Sequence, residues 1–435
     1  MGRRHEAGVT ATTDYVPVVE AGGLRAEEVR MDLMQHYRED VLHSAGMPEE
    51  LPGQLGMVGG VARLLAPEVA RTMRGLAGRY DSFVTTALSA TWPGLFGSDR
   101  PQVLMMFVPA IPSAWGDSSL FSVAPGRSVH NVAAGLRGMY SAMGAVAPGL
   151  EPGTAGITRR DRRRGVLGMA TAPAFIANTA QLVTPRRVAG RRVRVIGYPF
   201  LGPAADAALP ADLEAFLAAG PPPVSVGLGS HTVPAVREAI RGIVAAALSA
   251  GRRVAVMRGS GLEDEDGHDE RVAFVGDVPH DLLFPRTAAV VQHGGAGTSA
   301  VALRTGRPRS SCRSPWTNRS SPVACTRSGR RSPGAGAGRV RPGRGGAGRG
   351  LGAERVGASL ARVLEPAVAA RAAQVAAAVR GEDGVAGAVA LIEQELGAGS
   401  ETGRAGAATG AHRRPGCLAR ARPLRWGAWD GRPGR

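Results

Sequence analysis

Short apolar segments alternate with helix-length segments along the second half of the chain, and this alternation constrains the fold more than any other feature. The pattern predicts strands at 224–228, 253–257, 272–275 and 288–292, and an amphipathic helix at 233–250. Strands that are separated by helices pair in parallel through right-handed crossovers. We therefore expect an α/β domain, in which ligands bind beyond the carboxyl ends of the strands.

The first half of the chain carries a weaker version of this pattern. Residues 103–108 form a continuous apolar run, which is typical of a strand buried on both faces of a parallel sheet. Other segments predict strands at 9–12 and 193–196, helices over most of 24–80 and at 128–148, and an exposed charged turn at 159–164.

These patterns divide the 435 residues into several units. We expect a first domain at 1–205, a linker with a short helix at 206–222, a second domain at 223–396 and a basic tail at 397–435. Residues 309–350 interrupt the second domain without apolar periodicity, so we expect disorder there and in the tail. Helices are predicted to return at 351–364, 367–380 and 385–396.

The net charge of +17 comes from two segments only. Residues 307–349 carry eleven arginines and no acidic residue, and residues 401–435 carry eight arginines and two acidic residues. A nucleic-acid-binding surface would place aromatic residues among its arginines, whereas Trp316 is the single aromatic residue of 307–349. All three cysteines also lie in these segments, so the remainder predicts neither a disulfide framework nor a thiolate-bound metal. We expect no nucleic-acid partner.

Neither a leader nor a membrane span is indicated by the sequence. No apolar run approaches the roughly 20 residues that cross a bilayer, and no apolar segment follows the charged residues 1–5. The expectation is a cytoplasmic protein without stable membrane insertion.

The most informative stretch is Val290–Ser299, which reads Val-Val-Gln-His-Gly-Gly-Ala-Gly-Thr-Ser. A buried strand ends in a glycine-rich turn and a helix then begins. Glycines allow a ligand to approach the backbone closely, and the start of a helix offers unpaired N–H groups and a positive dipole end to a phosphate. His293 and Thr298 add side-chain donors. A tight strand–helix turn without a ligand is the alternative, and the complete order of strand, histidine, loop and helix favours a phosphate site.

The residues around this loop resemble a known family. Segment 276–285, Gly-Asp-Val-Pro-His-Asp-Leu-Leu-Phe-Pro, together with the loop, is similar to the nucleotide-sugar site of the macrolide, glycopeptide and sterol glycosyltransferases. Residues 224–230 resemble the strand and loop that open the C-terminal domain of these enzymes, and 197–200 resemble the segment before their linker. The resemblance covers about 193–306 and 351–396 and is weak over 6–150. It implies the α/β fold called GT-B, two Rossmann-like domains facing each other across a cleft.

The resemblance also implies roles for individual residues. Val278 would contact the nucleotide base through its backbone, and Gly229 and Ser230 would approach the phosphates from the first loop. The diphosphate would be held by His293, Gly294, Gly295, Ala296, Gly297 and Thr298. No cofactor or metal is implied, only a UDP- or TDP-sugar donor.

Two other groups of polar residues are better explained by structure. His280 lies in a turn, where we favour a structural role. Glu263, Asp264, Glu265 and Asp266 are adjacent and no histidine completes a ligand set, so a solvated loop is the simpler interpretation.

The segment after Pro308 departs from the family pattern, in which a strand and an Asp-Gln pair that grips the donor sugar follow the helix. With Ser codons of TCN type and Arg codons of CGN type, a shifted reading frame from Arg309 gives Ala-Val-Val-Val-Pro-Phe-Thr-Val-Asp-Gln-Pro-Phe-Phe-Ala. The Asp is forced, because Trp316 is TGG and the codon of Thr317 begins AC. Our hypothesis is a frame slip near Pro308 that is restored near Gly350. A genuine basic loop is the alternative, and the DNA sequence across codons 300–355 distinguishes them.

The beginning of the chain resembles the end of the first helix and the second strand of the acceptor domain. We therefore expect an N-terminal truncation that removes the first strand and loop, which in this family supplies the His or Asp base. General-base catalysis contributes about 10²–10⁴-fold. No residue is assigned as catalytic, and His5 is expected at the surface.

The predicted function is transfer of a hexose, with inversion, from a nucleoside diphosphate sugar to a hydroxyl of a lipophilic acceptor such as a natural product, sterol or lipid. Without the base, one strand and the Asp-Gln pair, we expect weak or no transferase activity from this chain. Two alternatives stay open: a non-catalytic helper protein that binds nucleotides, and a basic nucleic-acid-binding protein.

Overall fold

The computed structural model describes thirteen stretches of the chain. They are residues 5–32, 67–86, 100–109, 111–115, 123–124, 126–146, 158–183, 187–188, 191–203, 206–229, 234–258, 270–311 and 353–407. No helix within these stretches is long and apolar enough to span a lipid bilayer.

Two parallel strands lie at the start of the described chain. Strand β1 (Gly8–Thr12) pairs with β2 (Arg25–Val29), and the short helix α1 (Val16–Ala21) connects them. Helix α2 occupies 67–77. Just after it, Tyr80 and Arg79 donate hydrogen bonds to the carboxylate of Glu27 in β2, which ties the two elements together.

A parallel sheet with the strand order β3-β4-β5-β8 forms the core of the first α/β unit. Its strands are β3 (Phe83–Thr85), β4 (Gln102–Met106), β5 (Ala174–Ile176) and β8 (Arg194–Val195); β6 (Arg187–Val188) and β7 (Arg191–Arg192) form a separate hairpin. Helices α3 (Val129–Val146) and α4 (Arg159–Thr171) cover one face, where Leu104, Met139 and Met169 are buried together.

The second unit contains five parallel strands in the order β11-β10-β9-β12-β13. These are β9 (Val224–Gly227), β10 (Val254–Met257), β11 (Val272–Val275), β12 (Ala289–Gln292) and β13 (Arg309–Ser311). The chain builds outward from β9 in one direction and then returns to add β12 and β13 on its other side. This order is that of the Rossmann fold, in which the order of successive strands reverses between two neighbouring central strands, here β9 and β12.

Helices cover both faces of the second sheet. They are α5 (Ala211–Ala218), α6 (Pro234–Ser249), α7 (His280–Leu283), α8 (Ala296–Thr305), α9 (Ala353–Val363) and α10 (Pro366–Arg380). Alternate residues of β10 point to opposite faces: Val254 and Val256 pack with Ile240 of α6, whereas Ala255 packs in the cluster with Phe216 of α5. Burial on both faces explains the continuous apolar strands of this half.

The last helix, α11 (Gly384–Ala407), returns to the first unit. Its Leu391 is 4% exposed and packs with Val103 and Phe175 of the first sheet. Ahead of the helix, the Glu382 carboxylate accepts a hydrogen bond of 2.8 Å from the Thr179 hydroxyl. The chain therefore ends its described part on the domain in which it began.

Several sequence expectations were wrong in detail. Strand β2 lies inside the stretch 24–80 that we expected to be mostly helical. Residues 159–164 begin α4 rather than a turn. Arg162 stacks on the Tyr140 ring and donates to the Tyr140 carbonyl, and Val166 and Met169, further along the same helix face, are buried in the core.

The expected domain boundaries also differ from the structure at three places. The helix in the expected linker, α5, packs into the second core through Leu213, Phe216 and Leu217. Arg309–Ser311 is strand β13, although we expected the segment from 309 to lack regular structure and a core strand to be missing. The expected tail from 397 begins as a continuation of α11 to Ala407. Residues 312–352 and 408–435 lie outside the described stretches.

Candidate functional site

The candidate site lies at the carboxyl ends of β9 and β12, the two neighbouring parallel strands between which the strand order reverses. Gln292, at the end of β12, pairs with Gly227, at the end of β9. The loops that follow these strands therefore leave the sheet side by side. In open parallel sheets, this crevice is where ligands bind.

Three glycines shape the crevice around the imidazole of His293. A β-carbon on Gly229 would lie 2.7 Å from the ring Cε1, and one on Gly295 would lie 2.4 Å from Nε2. Real β-carbons do not approach so closely, so the ring occupies space that only glycine leaves open. Gly229 and Gly294 also have φ of 72° and 95°, which favour glycine. The two loops thus form a cradle with His293 between them.

Helix α8 begins directly beyond this cradle. Gly295 is its N-cap, no side chain caps it, and the first backbone hydrogen bond is from the Ser299 N–H to the Gly295 carbonyl, at 2.9 Å. The amides of Ala296, Gly297 and Thr298 precede that bond in the open first turn, the usual place for an anion. Behind them, the Ser299 hydroxyl donates to fully buried Gln292 at 3.4 Å, which fixes the helix on the strand.

The loop after β11 reaches the same edge of the sheet. Val278 is 5% exposed and packs in the core with Leu283. The ring of His280 stacks on Phe284 at 4.6 Å and 11°. Burial lowers the pKa of His280, against the opposing effect of Asp277 and Asp281. The structural role of His280 stays a prediction.

Not every residue named from the sequence is described by the structure. Ser230 and the acidic run 263–266 lie outside the described stretches. Within those stretches, no three His, Cys, Asp or Glu side chains are grouped as a metal site would need.

One residue at the site escaped sequence reasoning. The hydroxyl of Tyr198, which follows β8 of the first sheet, lies 3.2 Å from where a β-carbon on Gly297 would stand. In the sequence, segment 197–200 is marked only by its resemblance to the segment before the family's linker. Its proximity to α8 depends on how the two sheets are arranged, which no local pattern encodes.

Comparison of sequences shows relatives for part of the chain. No protein-family model matches. Over 100 residues the chain is 47% identical to the vancomycin aglycone glucosyltransferase of Amycolatopsis orientalis, covering 22% of this chain and 24% of the relative. Over 120 residues it is 37% identical to a sterol 3-beta-glucosyltransferase of Arabidopsis thaliana, covering 27% of this chain and 19% of the relative. The chain thus matches about a quarter or less of the length of these relatives.

Comparison of structures extends over most of the chain. The glycosyltransferase SnogD of Streptomyces nogalater superposes with a TM-score of 0.50 at 19% identity, over 88% of this chain and 90% of that one. The glycosyltransferase VinC, solved in complex with dTDP, gives 0.53 at 18% identity over 89% and 92%. At such identities the likeness shows the fold, which is that of the GT-B glycosyltransferases. The fold is therefore that of the GT-B glycosyltransferases, and the matched region is similar in sequence to a vancomycin aglycone glucosyltransferase and a sterol 3-beta-glucosyltransferase.

Proposed function

We propose that this chain binds the diphosphate of a UDP- or TDP-sugar at the start of α8. The observation that carries the proposal is the cradle of Gly229, His293 and Gly295 in front of an uncapped helix at the reversal point of the sheet. Unpaired amides and the helix dipole stabilise a diphosphate without requiring a metal ion. The Val278 backbone would meet the nucleotide base.

The reaction that this site would serve is transfer of a hexose to a hydroxyl group, with inversion. The bond between the anomeric carbon and the diphosphate breaks, and negative charge grows on the departing oxygen. Groups that already point at that oxygen stabilise the transition state more than the bound sugar donor. The first turn of α8 and the imidazole of His293 would supply such groups, and the acceptor hydroxyl would approach from the cleft between the sheets.

The names of the related proteins support this proposal. The matched region is shared with glucosyltransferases of an antibiotic aglycone and of sterols, and solved neighbours of the same fold contain dTDP. We infer a lipophilic acceptor, a natural product or a sterol, from the same names.

The proposal is tested by binding and by turnover, measured separately. The purified chain is titrated with dTDP and with UDP by isothermal calorimetry, with ATP as the control nucleotide. Binding of dTDP or UDP, but not ATP, is expected. Failure of both diphosphates to bind contradicts the site. Transfer is followed by release of UDP from UDP-glucose in the presence of a sterol or a glycopeptide aglycone. Binding without release would favour the helper protein considered above.

A further inference from the structure

Tyr198 is held at the cleft by residues from three parts of the chain. Its ring lies 6.0 Å from the ring of Phe107, which follows β4, and 5.0 Å from that of Phe200. Gly384, at the start of α11, packs so closely that a β-carbon there would lie 2.5 Å from the Tyr198 carbonyl oxygen. These contacts fix both the backbone and the ring.

The same segment is attached to the helix of the proposed phosphate site. The guanidinium of Arg304, in the last turn of α8, lies over the ring of Phe200 at 4.6 Å. At the other end of α8, the Tyr198 hydroxyl lies next to Gly297 in the first turn. Residues 198–200 therefore run beside α8 and bring a side chain of the first unit to its N-terminus.

The hydroxyl of Tyr198 is available to a ligand. It makes no hydrogen bond to another residue of the described stretches, although its ring is half-buried. Burial raises the pKa of Tyr198, so the phenol keeps its proton at neutral pH and can act as a donor.

We propose that the Tyr198 hydroxyl donates a hydrogen bond to the diphosphate bound at the first turn of α8. This inference rests on the proposed function and adds to it a binding residue from the first domain. A diphosphate held in this way touches both units: the α8 amides and His293 from the second, and Tyr198 from the first.

The experiment compares Tyr198→Phe with the unmodified chain. Phenylalanine keeps the ring contacts to Phe107 and Phe200 and removes only the hydroxyl. Calorimetric titration with dTDP should show affinity reduced about tenfold, as expected for loss of one hydrogen bond to a charged group. Titration with thymidine, which has no phosphate, should be unchanged. Tyr140→Phe, a tyrosine stacked under Arg162 away from the site, is the matched control and should bind dTDP normally.

Each outcome decides a separate question. Equal dTDP affinity of Tyr198→Phe and the unmodified chain overturns the role of the hydroxyl, while the phosphate site itself stands. Equal losses for dTDP and thymidine also overturn it, since a damaged cleft and not a lost phosphate contact would be the cause. If the unmodified chain binds neither dTDP nor UDP, the proposed function fails first, and the inference fails with it.

Discussion

The imidazole of His293 fills the space that a side chain on Gly295 would need: a β-carbon there would lie 2.4 Å from Nε2. Gly295 has φ of −56°, a value that any residue can adopt. The glycine is therefore required by the neighbouring ring and not by backbone conformation. At Gly229, by contrast, crowding by the same ring coincides with φ of 72°.

Gly295→Ala should weaken nucleotide binding through this contact alone. The added methyl group must displace His293 or shift the start of α8, at a cost of about 1–3 kcal/mol. We expect dTDP affinity to fall about tenfold or more in a calorimetric titration. Gly242→Ala is the control, because a β-carbon there meets no described atom within 4 Å. Gly242 lies inside helix α6, where alanine should leave dTDP binding unchanged and raise the free energy of unfolding by about 0.5–1 kcal/mol. Unaltered affinity in Gly295→Ala would contradict the cradle.

From the surroundings of the Glu27 carboxylate we predict how the free energy of unfolding of the first unit depends on pH. Tyr80 donates to it at 2.6 Å and Arg79 at 2.8 Å. The pKa of Glu27 is lowered, chiefly by the Tyr80 hydrogen bond and against the effect of burial. A carboxyl whose folded-state pKa is depressed stabilises the fold above its ordinary pKa, and this contribution is lost as pH falls through the folded-state value.

Tyr80→Phe should therefore reduce stability more at neutral than at acid pH. The loss near pH 7 should be about 1 kcal/mol or more, as for other hydrogen bonds to charged groups, and it should shrink as the pH falls below about 4. Urea unfolding at about pH 7 and about pH 3 measures this. Glu6→Gln, which removes only an exposed partner of Arg25, should change stability by less than about 0.5 kcal/mol at both. A pH-independent loss in Tyr80→Phe would show that the carboxylate is not the cause.

Replacing Leu391 tests whether helix α11 holds the two units together. Its side chain is buried against Val103 and Phe175, so Leu391→Ala should cost about 2–5 kcal/mol of packing energy. Amide hydrogen exchange in α11 should accelerate, while exchange in β9 and β12 should stay slow. On the same helix Val389 is 46% exposed, so Val389→Ala should leave the exchange of α11 nearly unchanged. Equal protection in both variants would mean that the helix is held elsewhere.

Much of the second unit was predictable, because its signals are local. The strand expected at 272–275 is β11 without change, the helix expected at 233–250 is α6 within a residue at each end, and the loop from His293 starts a helix near Thr298 as expected. The structure of the first unit was harder to predict from the sequence. Strand β2 begins two residues after the glycine pair at 22–23, and the arginine-rich start of α4 is stabilised by the distant Tyr140 ring.

The sequence by itself determined which segments are buried strands and that a glycine-rich turn precedes a helix, since side-chain periodicity and backbone freedom act over a few residues. The tertiary structure decided the strand order, which brings Gly229 to the imidazole of His293, and the return of α11 to the first sheet. It also decided that Tyr198 meets the first turn of α8. These contacts join residues far apart in the chain, and they form only when burial of both sheets fixes how the layers pack.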